Sequence, residues 1–417
     1  MEIENVKNDI KDLLRVPRAV GLLAAFLRLL RVPRAVVAIA LAACAWCVAP
    51  SSAATAAFDD GVDRTDPNFV KASLLVIGPG REFFGCAGHA SLRLECPKFN
   101  LDYCFSCESE SIKLNPFRFV MGNLKMGMLA VPTKEFLVPY AQLGRRATLY
   151  PLTLPPDAKQ RLWKMMDGMV QEGACLHYDY IKYCCVQSIL QPILGAIKPY
   201  EIEFAPWPAQ YELTRREILA NELAWCPWTR LFLHTIAGTD VDEKVGKTKT
   251  VILSPDLMAL LRGAKVLGKP IIEGEGEVLL DYQRPVGRTV VTPMMVAVGL
   301  LALAVARCFR RLRWVELTFL TIQSLIGLLL THLLVVSNLP ATSWNWLVIP
   351  FNPLPLVFWK WRRLWALPFA AILVLWTGFM ALYPHQLTDT AYLVVAAAYI
   401  VLYFKLAVEG RSRHEIH

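Results

Sequence analysis

The sequence predicts an α+β domain outside the cytoplasm, followed by an all-α transmembrane bundle of about five helices. Three observations predict this. Hydrophobic residues make up 55% of the 417, and the excess collects at the two ends of the chain, the mark of membrane insertion rather than of an oily globular core. Between those ends, short strand-like runs alternate with stretches of helical periodicity. The basic residues stand beside the apolar runs, where they set membrane orientation.

Residues 1–57 read as a signal peptide or signal anchor. LLRVPRAV occurs at 13–20 and again at 29–36, then an apolar run from Ala35 to Pro50 leads into SSAATAA and the acidic FDDG. A charged stretch, a short apolar stretch and small residues before a polar start are the features of an export signal.

Residues 58–245 read as a mixed domain. Ala72–Ile77 and Ala90–Leu94 are strand-like, separated by the turn signals Gly78-Pro79-Gly80 and Gly85 to Gly88. Pro155, Pro156 and Asp157 open a helix whose Leu162, Met165, Met166 and Met169 share one face. A second helix follows Cys185 through Val186, Ile189, Leu190 and Ile193, and Pro192 is expected to kink or shorten it. Residues 246–288 read as a connector, with a short helix from Ser254-Pro255-Asp256 and a short strand after the Gly-Glu alternation at 274–277.

Residues 289–408 read as membrane and 409–417 as a cytoplasmic tail. The expected spans are 290–306, 315–336, 347–359, 364–382 and 388–408, the third bent or re-entrant because Pro350, Pro353 and Pro355 interrupt it. Arg307–Arg313, then Lys360, Arg362 and Arg363, then Lys405, Arg411 and Arg413 fall on one side, and the loops 337–346 and 383–387 carry no Lys or Arg. By the positive-inside rule this puts the C-terminus in the cytoplasm and the soluble domain in the periplasm of a bacterial inner membrane. Trp344 and Trp346 then suit the outer boundary, and Trp359, Trp361 and Trp365 the inner one. Asn345 and Asn352 are polar groups near the apolar region that either line a cavity or bond neighbouring helices, and His332 is expected to pack. The net charge of +9 is absorbed by these flanks, which argues against nucleic-acid binding.

Of eleven cysteines, Cys44, Cys47 and Cys308 fall in membrane-type runs. Cys86, Cys96, Cys104, Cys107, Cys175, Cys184, Cys185 and Cys226 fall in the soluble part, where an oxidising compartment permits disulfides of undetermined pairing. The lone CxxC at Cys104 and Cys107 does not define a metal site, and no cofactor is expected.

Two stretches carry candidate chemistry. In Gly88-His89-Ala90-Ser91 a histidine leaves a glycine turn and opens a strand, and Tyr178 to Cys185 ends on cysteine at a helix start. Unpaired backbone N–H groups and the positive end of the helix dipole favour the thiolate there. A histidine on a neighbouring strand can take and return its proton. This is the geometry of papain-like enzymes. The bland alternative is a structural histidine and a packed thiol; of the other two histidines in the soluble part, His177 and His234, His177 is expected to be a surface or packing residue.

The run SLLVIGPGREFFGCAGHASLRLECPKFNLDYCFS resembles the opening of the family with an Lnb-type N-terminal periplasmic domain. YDYIKYCC is similar to that family's aromatic segment ending in Asn-Cys, with Cys184 in place of Asn. LSPDLMALLRGAKV and SWNWLVIPFNPLPL resemble its later helix and its Asn- and Pro-rich membrane segment. The resemblance implies a permuted papain-like (NlpC/P60-type) domain with Cys185 as nucleophile, Cys184 as its rival, and His89 as base. Asp102, thirteen residues after His89, is expected to orient the imidazole from the return strand. The implied activity is lipoprotein N-acylation, with a phospholipid as acyl donor, a Cys185 thioester as intermediate and a diacylglyceryl-cysteine lipoprotein as acceptor. A membrane-anchored cell-wall amidase or endopeptidase and a non-catalytic scaffold are the competing readings.

Overall fold

The computed structural model describes residues 63–82, 85–173, 176–177, 184–205, 212–245, 251, 253–283, 289–310, 312–382 and 389–414. The expected export signal, Cys175 and the motif residues Tyr178–Tyr183 lie outside them.

The soluble part is built on strands β1 (Lys71–Ile77), β2 (His89–Cys96), β3 (Leu101–Ser109), β4 (Lys125–Pro132), β5 (Ala147–Pro151), β6 (Leu176–His177), β7 (Ile202–Phe204), β8 (Ala264–Val266), β9 (Lys269–Pro270) and β10 (Glu277–Leu280). Seven of them form one antiparallel sheet in the order β10-β5-β1-β2-β3-β4-β6. Its helices are α1 (Pro116–Val120), α2 (Thr133–Gln142), α3 (Pro156–Gln171), α4 (Cys185–Ile197), α5 (Arg215–Glu222), α6 (Pro227–Ile236) and α7 (Ser254–Gly263).

Alternation along the strands sends side chains to two cores, as the pleat requires. Leu92, Leu94 and Phe105 pack with Leu162 and Met166 of α3 and with Val186, Ile189 and Ile193 of α4 on one face. Leu75, Ile77 and Cys104 pack with Phe136 of α2 on the other. Cys104 and Cys107 therefore stand on opposite faces of β3, as an odd separation on a strand dictates.

Two expectations need correction. Helix α4 runs through Pro192 to Ile197. Ile193, Ala196 and Ile197 beyond the proline are fully buried, and burying each large aliphatic side chain is worth about 1.5–3 kcal/mol, against roughly 3 kcal/mol for an interior proline. The segment 246–288 is also more than a connector. Val251, Leu257, Leu261, Val266 and Ile271 enter the main core, and β10 pairs with β5 at the sheet edge.

The membrane part comprises α8 (Pro293–Phe309), α9 (Arg313–Val335), α10 (Leu354–Val357), α11 (Arg362–Leu382) and α12 (Ala391–His414). Among the described residues, three stretches are long and apolar enough to cross a bilayer: Arg313–Val335, Trp359–Leu382 and Ala391–Gly410. These stretches correspond to the expected spans 315–336, 364–382 and 388–408. Helix α8, at the expected span 290–306, is a shorter apolar helix of 17 residues, at the lower end of the range for a span. Residues 346–361 form three short helical turns, α10 among them, instead of one continuous helix, in keeping with the three prolines.

That broken stretch runs alongside α9. Thr342 Oγ1 donates to Leu333 O at 3.2 Å, Gln323 Nε2 donates to Pro350 O at 2.7 Å, and Arg362 pairs with Glu316. Irregular backbone is tolerated at membrane depth where protein supplies its partners. Asn345 and Asn352 serve this stretch as well. Asn345 Oδ1 accepts from Leu347 N at 3.0 Å and Asn352 Nδ2 donates to Ile349 O at 2.8 Å.

Helix α6 docks the soluble part on one end of the bundle. Trp228 Nε1 donates to Val291 O at 2.8 Å, Arg230 pairs with Asp389 at 3.1 Å, Thr235 Oγ1 meets the Tyr392 hydroxyl at 2.6 Å and Asn345 Nδ2 donates to Thr235 O at 2.7 Å. The opposite ends of the helices carry Arg307, Glu316, Arg362 and Glu409 in one ion-pair network.

Candidate active site

Strand β2 begins where the turn at Gly88 releases the chain. Gly88 has φ +79°, and a Cβ there would lie 2.9 Å from Ile77 O, so only glycine fits. The turn ends on His89, whose side chain is 12% exposed. Helix α4 starts at Cys185, with Cys184 as its N-cap. The two elements meet at the start of the strand, where the Cys185 sulfur takes hydrogen bonds from the His89 ring and from Ala90 N–H.

The imidazole is held from behind. His89 Nε2 lies 2.7 Å from Ser106 Oγ and 3.2 Å from Glu108 Oε1, and Ser106 Oγ donates to the same carboxylate oxygen at 2.7 Å. With Nε2 so engaged, Nδ1 is the nitrogen left for the thiol. Tyr140 of α2 stacks on the ring with centroids 6.5 Å apart and planes at 22°. Arg145 lies over the Tyr140 ring, 5.1 Å from its centroid, and donates to Gly78 O at 2.9 Å, so it holds the loop that leads to His89.

These contacts set the charge states. Burial disfavours the imidazolium, but the Cys185 thiolate and the Glu108 carboxylate outweigh it and push His89 up to about 10. Burial likewise opposes the Cys185 thiolate, but the charge and hydrogen bond of His89, with Ala90 N–H, hold the thiol below its ordinary value. Glu108 stays below the usual carboxylate range despite burial, because His89 and Ser106 bond to it. Both shifts favour the thiolate–imidazolium form of the pair.

Cys184 differs from its neighbour. It is 8% exposed, sits in the core with Val186 and Ile189, and burial beside the Cys185 charge pushes its thiol up to about 12. The structure thus brings His89 to Cys185 and not to Cys184.

Asp102 is not at the site. It takes Arg93 Nε at 2.8 Å and Nη2 at 2.9 Å, with Thr133 Oγ1 at 2.5 Å. The reason is register. The β2–β3 hairpin pairs Glu95 with Asp102 and Leu92 with Phe105, so His89, at the far end of β2, faces the end of β3 that carries Glu108. Asp102 shares the face of Ser106 and Glu108 but lies roughly 20 Å from Glu108 along the strand at about 3.4 Å per residue.

His234 is buried, and His177 lies on β6. Among the described residues no group of three or more His, Cys, Asp and Glu is arranged to hold a metal ion.

Residues 57–217, which include both His89 and Cys185, match the family model of the Lnb N-terminal periplasmic domain. No curated protein and no solved structure matches the chain.

Proposed function

By its residues 57–217 the chain belongs to the family with an Lnb N-terminal periplasmic domain, and from that premise we propose that it is a lipoprotein N-acyltransferase with Cys185 as nucleophile and His89 as its acid–base. One observation carries this reading: the His89 ring meets the Cys185 sulfur at a helix start, in a domain that helix α6 docks on a set of apolar helices.

The Cys185 thiolate attacks the ester carbonyl of a phospholipid, forming the C–S bond. The C–O bond breaks, and the departing lysophospholipid oxygen takes the proton from His89. The neutral imidazole then accepts a proton from the α-amine of a diacylglyceryl-cysteine lipoprotein as that amine attacks the thioester. The C–N bond forms, and Cys185 leaves as thiolate beside a recharged imidazolium. Ala90 N–H supports the sulfur anion at both ends of the cycle. Glu108 and Ser106 take the orienting role expected of Asp102, holding Nε2 so that Nδ1 meets the sulfur.

Both substrates are lipid-anchored, which gives the apolar helices a purpose: they keep the site at the bilayer. A multi-pass arrangement with the soluble domain in the periplasm puts the basic cluster around Arg307 and Arg362 on the cytoplasmic side, in accord with the positive-inside rule.

The test is intact mass measurement after incubation with phospholipid alone. One acyl adduct is expected on the wild-type chain and on Cys184→Ala, and none on Cys185→Ala. An adduct that survives Cys185→Ala, or altered muropeptides without any change in lipoprotein acylation, overturns the assignment.

A further inference from the structure

The β3–β4 connection leaves the sheet immediately beyond Glu108 and carries the short helix α1. Its residues divide sharply. Phe119 and Leu124 are buried with Ile236 of α6, Leu333 of α9 and Leu339. Leu114 is 82% and Phe117 85% exposed, on a connection that its buried residues already anchor.

The place of that anchor gives the exposed pair a meaning. Asn338 N donates to Met121 O at 3.1 Å. Gly122, at φ +69°, lets the chain touch Leu339, where a Cβ would meet backbone at 2.0 Å. The connection therefore rests on the residues that directly follow α9, one of the three helices long and apolar enough to span. Val335, at the end of that helix, is itself 73% exposed, so the apolar surface of the span continues toward the connection. Lys113 and Arg118 flank the two apolar residues, and Arg118 pairs with Glu110 at 2.6 Å. Large apolar side chains flanked by basic ones at the end of a span are the composition of an interfacial membrane segment.

We propose that residues 111–121 dip into the outer leaflet, with Leu114 and Phe117 among the acyl chains and Lys113 and Arg118 at the level of the phosphates. The occupant of this surface is the phospholipid bilayer rather than a protein partner, because the patch prolongs the surface of the span. The connection then forms the lipid-side rim of the site, since the strand it leaves holds the carboxylate that touches His89. The inference rests on the membrane placement in the reading above and not on the acyl transfer.

The test places the photoreactive residue p-benzoylphenylalanine at 117, at 114, and separately at 99, in the full-length Cys185→Ser chain reconstituted in phosphatidylethanolamine–phosphatidylglycerol vesicles. Phe99 is the control, 52% exposed and in the turn that joins β2 to β3 at the opposite end of the hairpin. Irradiation is expected to give phospholipid adducts through the acyl chain at 117 and 114, and none at 99. Adducts to protein at 117 and 114, equal lipid adducts at 99, or no lipid adduct at either loop position overturns the proposal. Because Cys185 is absent, failure of the acyl-transfer reading leaves this outcome unaffected, and loss of the adduct leaves the thioester test unaffected.

Discussion

Cys185 and Cys184 are adjacent in sequence and opposite in chemistry, because one turns toward an imidazole and the other into the core. The low thiol value of Cys185 and the raised value of His89 fix the sign of the pH dependence. Below the Cys185 value the thiolate is protonated and attack stops. Above about 10 the imidazolium is lost, and with it the proton for the leaving alkoxide. Acylation should therefore follow a bell whose acid limb lies below the ordinary thiol range, near 8.5, and the pH midpoint of Cys185 alkylation by iodoacetamide should lie below that range as well. Glu108→Gln removes a charge that supports the imidazolium, so the basic limb should move to lower pH. The rate should fall by about 10- to 100-fold, less than the roughly 10²- to 10⁴-fold expected for the acid–base itself. Asp102→Asn should leave that limb in place and cost about 1 kcal/mol of stability, since it weakens a partly exposed pair with Arg93. His89 and Cys185 were legible because a glycine turn before a strand and a cysteine before an apolar helix are local patterns. Glu108 was not, because its contact with His89 crosses a hairpin whose length the sequence leaves open, and counting thirteen residues pointed to the wrong end of β3.

Elements were easier to read than contacts. The helical periodicity after Pro156 and after Cys185 matches α3 and α4, and the strand-like runs match β1 and β2 to within two residues at each end. The exceptions are places where tertiary packing overrides a local rule. Proline did not end α4, because the helix is clamped between the sheet and α3 along its whole length. Ile189 is fully buried in that clamp, and Ile189→Ala should cost about 2–5 kcal/mol in thermal or denaturant unfolding. The same substitution should slow acylation by more than its effect on stability implies, because α4 carries the nucleophile at its first residue. A variant that lost stability but acylated normally would mean that the sulfur is positioned by the preceding segment and not by the helix.

On the scale of the whole molecule, the chain is fastened at both ends of its helical bundle by polar contacts that sequence pattern alone did not join. Charge placement indicated the side on which Arg307, Arg362 and Arg363 lie. It gave no sign that Glu316 and Glu409, far apart in sequence, would return to meet them. Arg307 is 3% exposed and holds Glu409 at 2.9 Å and Glu316 at 3.3 Å, so helices α8, α9 and α12 share one guanidinium. Removing one member of a buried pair strands its partners, at a cost of about 3–5 kcal/mol. Arg307→Met should therefore lower the unfolding temperature of the detergent-solubilised protein markedly. Arg307→Met combined with Glu409→Gln should recover part of that loss, because without Arg307 the Glu409 carboxylate keeps only the longer contacts to Arg363 at 3.9 Å and Lys405 at 3.7 Å. Alkylation of Cys185 should proceed at the wild-type rate in both, since the network lies at the end of the bundle away from helix α6. If Arg307→Met instead abolished Cys185 reactivity while the bundle still unfolded at its original temperature, the two ends would be coupled through the helices, and the bundle would be part of the catalytic apparatus rather than its anchor.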